Sequence, residues 1–140
     1  MDKKPLIVVS ILAVVLLVMG SNNCWGIVSI VEDVSQTELL IGNIRGPVGI
    51  TANVYNIGLN ESAVNVSWSI TVSRGLSGVI VLKNGTVPSI EVNSSISIGT
   101  GLLIGFGMIH IKITAKAENA PEVIARRIAF LFGPFVIGIR

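Results

Sequence analysis

Apolar and polar residues alternate from Ala63 to Val72: Val64, Val66, Trp68, Ile70 and Val72 take every second position, and Asn65, Ser67, Ser69 and Thr71 fill the gaps. Period two is the mark of a strand with one buried face. The pattern returns at Ile109, Ile111, Ile113 and Ala115, with His110, Lys112, Thr114 and Lys116 on the other face. It is present again at Ile50, Ala52 and Val54, set against Thr51, Asn53 and Tyr55. These stretches predict core strands, with Trp68, Val64, Val66, Ile70, Ile109, Ile111 and Ile113 as structural core. A Trp among β-branched residues presents a large apolar face that must be covered, so a second sheet is expected across the first, with Trp68 filling the gap between them.

The remaining segments fit the same plan. Thr37 to Ile41 reads as a strand followed by a turn at Gly42-Asn43, and Asn56 to Ser62 reads as a loop of residues that tolerate left-handed backbone. Arg74-Gly75 predicts a turn before a strand at Val79 to Leu82, and Asn84-Gly85 carries the composition of a tight hairpin. Pro88 cannot donate to a ladder, which sends Thr86 to Ile90 to an edge or a crossing connection. Ser94 to Ile98 is a short alternating strand, and the glycines from Gly99 to Gly107 predict bends. Val123 to Phe132 and Phe135 to Ile139, split by Gly133-Pro134, close the chain as one bent strand or two, with Phe130, Phe132 and Phe135 expected in the core, the alternative being an apolar patch used for assembly or for resting against the membrane. About seven to nine short strands with regularly spaced turns predict an all-β, antiparallel two-sheet sandwich over residues 37 to 140.

The N-terminus breaks this pattern. Lys3 and Lys4 precede an apolar run from Leu6 to Met19, interrupted only by Ser10, which predicts one apolar helix in a signal peptide or membrane anchor at residues 1 to 26. As a helix the run rises about 21 Å against a hydrocarbon core of about 30 Å, closer to a cleaved signal than to a full span. Residues 27 to 36 read as a linker or a frayed first strand. If the segment stays uncleaved, residues 6 to 19 hold the chain in a membrane with everything after Gly26 outside. Either way the domain is expected to be extracytoplasmic. Cys24 is read as incidental or removed, because Ser21, Asn22 and Asn23 do not match the residues that lipidation signals place before the cysteine.

Composition narrows the function. Charged residues make up 13% of the chain and hydrophobic ones 51%, with a formal net charge of +2. The basic residues are scattered, which argues against a nucleic-acid partner. A single cysteine excludes an internal disulfide and a multi-cysteine metal site.

With these motifs in view, the middle of the chain resembles a known type. Gly49-Ile-Thr-Ala-Asn-Val-Tyr-Asn-Ile-Gly, Ala63-Val-Asn-Val-Ser-Trp-Ser-Ile, Pro88-Ser-Ile-Glu-Val-Asn-Ser-Ser-Ile and Gly107-Met-Ile-His-Ile-Lys-Ile-Thr-Ala together resemble the CARDB-like surface modules of exported archaeal and bacterial proteins. The resemblance covers about residues 44 to 117. It implies an immunoglobulin/fibronectin III-like fold and a role in cell-surface binding, adhesion or envelope structure, with another surface protein or a glycan as partner. It transfers no catalytic residue. The apolar tail from Phe130 onward is longer than the last strand of such modules.

Candidate chemistry is sparse. Asn60, Asn65, Asn84 and Asn93 each head an N-x-Ser/Thr sequon, a glycosylation acceptor in an exported chain, although Asn and Ser also populate turns and exposed strand faces for their own reasons. His110, the single histidine, is expected on a polar strand face beside Lys112, without acid or sulfur neighbours. No Gly-x-Ser-x-Gly elbow is present, and the Gly99 to Gly107 segment lacks the helix start or lysine that a phosphate cradle needs. The expectation is a non-catalytic module with no catalytic residue, no cofactor and no metal. A filament or secretion-apparatus subunit with its apolar helix retained is the alternative. A small hydrolase is a second, which would require Glu61 or Glu91 to converge with His110.

Overall fold

The computed structural model describes residues 37–75 and 78–140. The chain divides into units Met1–Val34 and Ser35–Arg140, and all described residues belong to the second. The expected helix, the linker and Cys24 lie outside the described residues. Eight strands build the domain: β1 (Leu39–Arg45), β2 (Thr51–Asn56), β3 (Ala63–Ser73), β4 (Val79–Ile90), β5 (Ser95–Gly99), β6 (Gly105–Ala117), β7 (Ala120–Gly133) and β8 (Phe135–Ile137). One sheet has the order β1-β2-β5 and the other β4-β3-β6-β7-β8, all pairs antiparallel. The expected all-β, two-sheet architecture is what forms.

The alternating positions explain the layers. Leu39, Ile41, Ala52, Val54 and Ile98 point inward from the small sheet, and Val66, Ile70, Val72, Ile109, Ile111, Ile113, Leu131 and Val136 from the large one, forming one buried core. A fully buried Ile or Val side chain contributes about 1.5–3 kcal/mol relative to an exposed one. Because three strands face five, the large sheet overhangs. Lys83 opposite Ile70, and Arg127 opposite Ile111, share the inward face of core residues yet remain exposed at its margins.

Five local expectations are corrected. Asn84-Gly85 makes no hairpin: both residues lie inside β4, where Gly85 is paired with Trp68. A Cβ at Gly85 would stand 2.7 Å from Trp68 Cζ2, so the missing side chain makes room for the indole. Trp68 itself faces inward but is only half-buried, lying over the edge strand β4 and not at the centre of the core. Val64 is 41% exposed. Asn65 beside it adopts φ 48°, and this left-handed residue breaks the alternation, so Ala63 and Val66 face inward and Val64 does not. Gly42-Asn43 is an irregularity within β1, with Asn43 at φ 55°, and makes no turn.

The fifth correction concerns the tail. Gly133-Pro134 does break it, and β7 and β8 form a hairpin with Phe132 opposite Phe135. Near the turn of this hairpin Ala129, Leu131 and Val136 are core, and Phe130, Phe132 and Phe135 face solvent.

Candidate functional site

The alternation that buries Ile109, Ile111 and Ile113 sends Phe106, Met108, His110, Lys112, Thr114 and Lys116 to the outer face of β6. Register with β7 then sets the rows across the sheet. Phe106 lies opposite Phe132, Met108 opposite Phe130, His110 opposite Ile128, and Lys112 opposite Arg126. On β8, Ile137 stands beside Phe130 and Phe135 beside Phe132. The outer face therefore has an aromatic end and a cationic middle.

At the aromatic end the rings touch. Phe106 meets Phe130 edge-on with centroids 5.3 Å apart, and Phe132 at 5.6 Å in a tilted pair. Aromatic pairs of this kind contribute about 0.5–1.5 kcal/mol beyond the area they bury. The rings still face water: Phe106 is 62% exposed and Phe132 56%. Gly105, at the start of β6, leaves room for the ends of two side chains, since a Cβ there would stand 2.9 Å from Leu131 Cδ2 and 3.0 Å from Arg74 Nη2. Arg74 Nε is buried without a hydrogen-bond partner among the described residues.

Beyond the rings, a shallow groove of about 310 Å³ runs between Ser73, His110, Lys112, Arg126, Arg127 and Ile128. Two cations directly opposite each other repel, and a protein usually places a carboxylate nearby. None is there. The carboxylates of the described residues are Glu38, Glu61, Glu91, Glu118 and Glu122, and outward positions from Ile124 to Phe132 on β7 and from Phe106 to Lys116 on β6 carry none.

The expected site residues are dispersed. His110 is exposed on the outer face beside Lys112, as its alternation predicts. Glu61 precedes the first residue of β3 and Glu91 follows Ile90, the partner of that first residue, whereas His110 pairs with Ser73 at the last residue of β3. Ten residues of strand separate those ends, about 33 Å, so neither glutamate converges with His110. Among the described residues no group of three or more His, Cys, Asp or Glu side chains stands where it can hold a metal ion.

All four sequon asparagines are exposed. Asn60 is in the β2–β3 loop, Asn93 in a turn at φ 57°, and Asn84 on the face of β4 opposite Ser69. Asn65 donates its side-chain amide to Glu118 Oε2 at 2.6 Å, so that nitrogen is already engaged.

Sequence reasoning missed two buried or half-buried asparagines that close the opposite end of the domain. Asn56 Nδ2 donates to the carbonyls of Glu61 (2.8 Å) and Ile90 (3.0 Å), and its Oδ1 accepts from Gly58 N at 3.0 Å. Asn119 Nδ2 donates to Thr37 Oγ1 and the Ser62 carbonyl, while its Oδ1 accepts from Val64 N. Their only signal was an Asn two residues before a Gly and an Asn in a turn. Both bind loops together and leave the aromatic face on its own as the candidate site. Comparison with protein-family models, with curated proteins and with solved structures finds no match for the chain.

Proposed function

We propose that the chain is an exported, non-catalytic β-sandwich module that works by surface contact at the cell surface, released or membrane-anchored, and that the outer face of β6, β7 and β8 makes the contact. The observation that carries this reading is that the domain completes its core without Phe106, Phe130, Phe132 and Phe135. Four aromatic rings on one sheet face, with Met108, Ile128 and Ile137 beside them, form an apolar patch of the kind that marks an interaction surface. Export rests on Lys3, Lys4 and the Leu6 to Met19 run.

An immunoglobulin/fibronectin III-like fold is part of the proposal. β1, β2 and β5 take the places of strands A, B and E in one sheet, and β3, β6 and β7 those of C, F and G in the other. The CARDB-like resemblance fits this order, and Asn56, within its Val-x-Asn-x-Gly stretch, acts as a loop tie. Asn60 is the sequon best placed for a glycan, exposed in a loop.

Intact mass and N-terminal sequencing of the native protein, in secreted, membrane and cytosolic fractions, test this reading. A chain starting near Ser21 or Ile27 in the secreted fraction supports a released module, and one starting at Met1 in the membrane fraction supports an anchored one. Recovery of the chain from the cytosolic fraction alone contradicts export.

A further inference from the structure

We infer that the outer face of β6, β7 and β8 is a lipid-docking surface that lies on an anionic bilayer, its aromatic end at headgroup depth and its cationic groove over the lipid phosphates. This deepens the surface-contact reading and rests on it.

Charge complementarity selects the occupant. Lys112 and Arg126 stand opposite each other, with His110 lining the same groove and, among the described residues, no carboxylate side chain on the face between Phe132 and Ile124. Such a groove fits a covering layer that brings negative charge. A second copy of this face would bring only more phenyl rings and more cations. The cores of protein interfaces are depleted in lysine, whereas aromatic and aliphatic side chains bordered by Lys and Arg are the composition of a surface that settles into a headgroup layer. The long stems of Lys112 and Arg126 can lie along apolar surface while their charged ends reach the phosphates. A fluid bilayer conforms to a sheet face without needing a matched shape.

Chain layout permits this posture. Asn60, Asn65 and Asn93 lie at or near the loops of the opposite end, so glycans at these positions leave the aromatic end clear, whereas Asn84 shares the outer face in the row of Ser69 and Thr114 and must be bare for the face to dock. Thr37 is bonded to Asn119 at that opposite end. Residues 20 to 36 can extend at most about 58 Å, which exceeds the roughly 43 Å length of the thirteen-residue β6, so an anchor at Leu6 to Met19 lets the domain lie down on this face.

The test uses the full chain in a Cys24→Ser background, with a polarity-sensitive fluorophore on Met108→Cys, and on Thr51→Cys as a control on the small sheet. Both are added to phosphatidylcholine vesicles with and without phosphatidylglycerol. Docking predicts a blue shift and brightening at position 108 but not at 51, on anionic vesicles only. Apparent affinity is expected to fall about fivefold for each of Lys112→Gln and Arg126→Gln, since each cation near an anionic surface contributes about that factor. A label at 108 that stays in water on anionic vesicles, or shifts equally on neutral ones, overturns lipid docking. A shift that follows protein concentration without lipid assigns the face to a second copy and also overturns it, while leaving the surface-contact reading standing. The export part of that reading fails separately, by recovery of the native chain from the cytosol alone.

Discussion

Lys112 on β6 lies directly opposite Arg126 on β7, a like-charge pair in the middle of an exposed sheet face. Repulsion across such a pair destabilises the strand pairing by a few tenths of a kcal/mol, limited by solvent screening. Lys112→Glu converts it into an attractive pair. The variant is expected to unfold at a slightly higher denaturant concentration than the natural protein, with the gain shrinking as salt is raised. A lower midpoint at every salt concentration would show that the pair is already neutralised within the domain.

Gly85 and Trp68 form a second dependent pair. An added Cβ at Gly85 would stand 2.7 Å from Trp68 Cζ2 and 2.9 Å from Cε2, and the indole is hemmed in by the core on its other side. Gly85→Val is expected to cost about 1–3 kcal/mol, as overpacking does, and to red-shift the tryptophan emission as the ring is pushed toward water. Trp68→Leu in the same chain should recover part of the loss. Equal stability of Gly85→Val and the natural protein would mean that the glycine has no packing role.

Asn56 ties the β2–β3 loop to the end of β4 through donors that only an amide supplies. Asn56→Ala leaves the Glu61 and Ile90 carbonyls without this donor and is expected to cost about 3 kcal/mol in a denaturant titration. Asn56→Asp places a carboxyl against the same two oxygens in a buried site, which raises its folded pKa above the unfolded value of about 3.9. The folded state then binds the proton more tightly, so stability is greatest below the unfolded value and is lost as pH rises through the folded one. The melting temperature of Asn56→Asp, relative to the natural chain, should therefore fall between acid and neutral pH. A constant difference would contradict the burial of this side chain.

The strands whose two faces differ in polarity were readable from the chain. Ile109, Ile111 and Ile113 against His110 and Lys112, and Ala52 and Val54 against Thr51 and Asn53, follow the two-residue period because one face meets the other sheet. The reading failed where that contrast is missing. From Phe130 to Phe132 the residues are Phe, Leu and Phe, apolar on both faces, and nothing local says that Leu131 alone turns inward. It failed again where a side chain on a neighbouring strand overrides local chemistry: Asn84-Gly85 has hairpin composition, but Gly85 serves the ring of Trp68. A single left-handed residue, Asn65, moved Val64 to the surface. An apolar patch of Phe130, Phe132 and Phe135 was legible as the alternative to core, but its union with Phe106 and the cations was hidden for a related reason. Its rows exist only once β6 and β7 are paired in register, and residues 106 and 132 are far apart in the chain.

Phe106, Phe130 and Phe132 belong to the surface and not to the core. The direct measurement is denaturant unfolding of the full chain in mild detergent, comparing Phe106→Ser/Phe130→Ser/Phe132→Ser with Leu131→Ala. The triple variant should keep a cooperative transition and lose no more than the contribution of its ring contacts, on the order of 1–3 kcal/mol in total. Leu131→Ala alone should lose about 2–5 kcal/mol, because Leu131 is 1% exposed and its removal opens a cavity. If the triple variant unfolds outright or loses far more than Leu131→Ala, the rings belong to the core and the contact face does not exist.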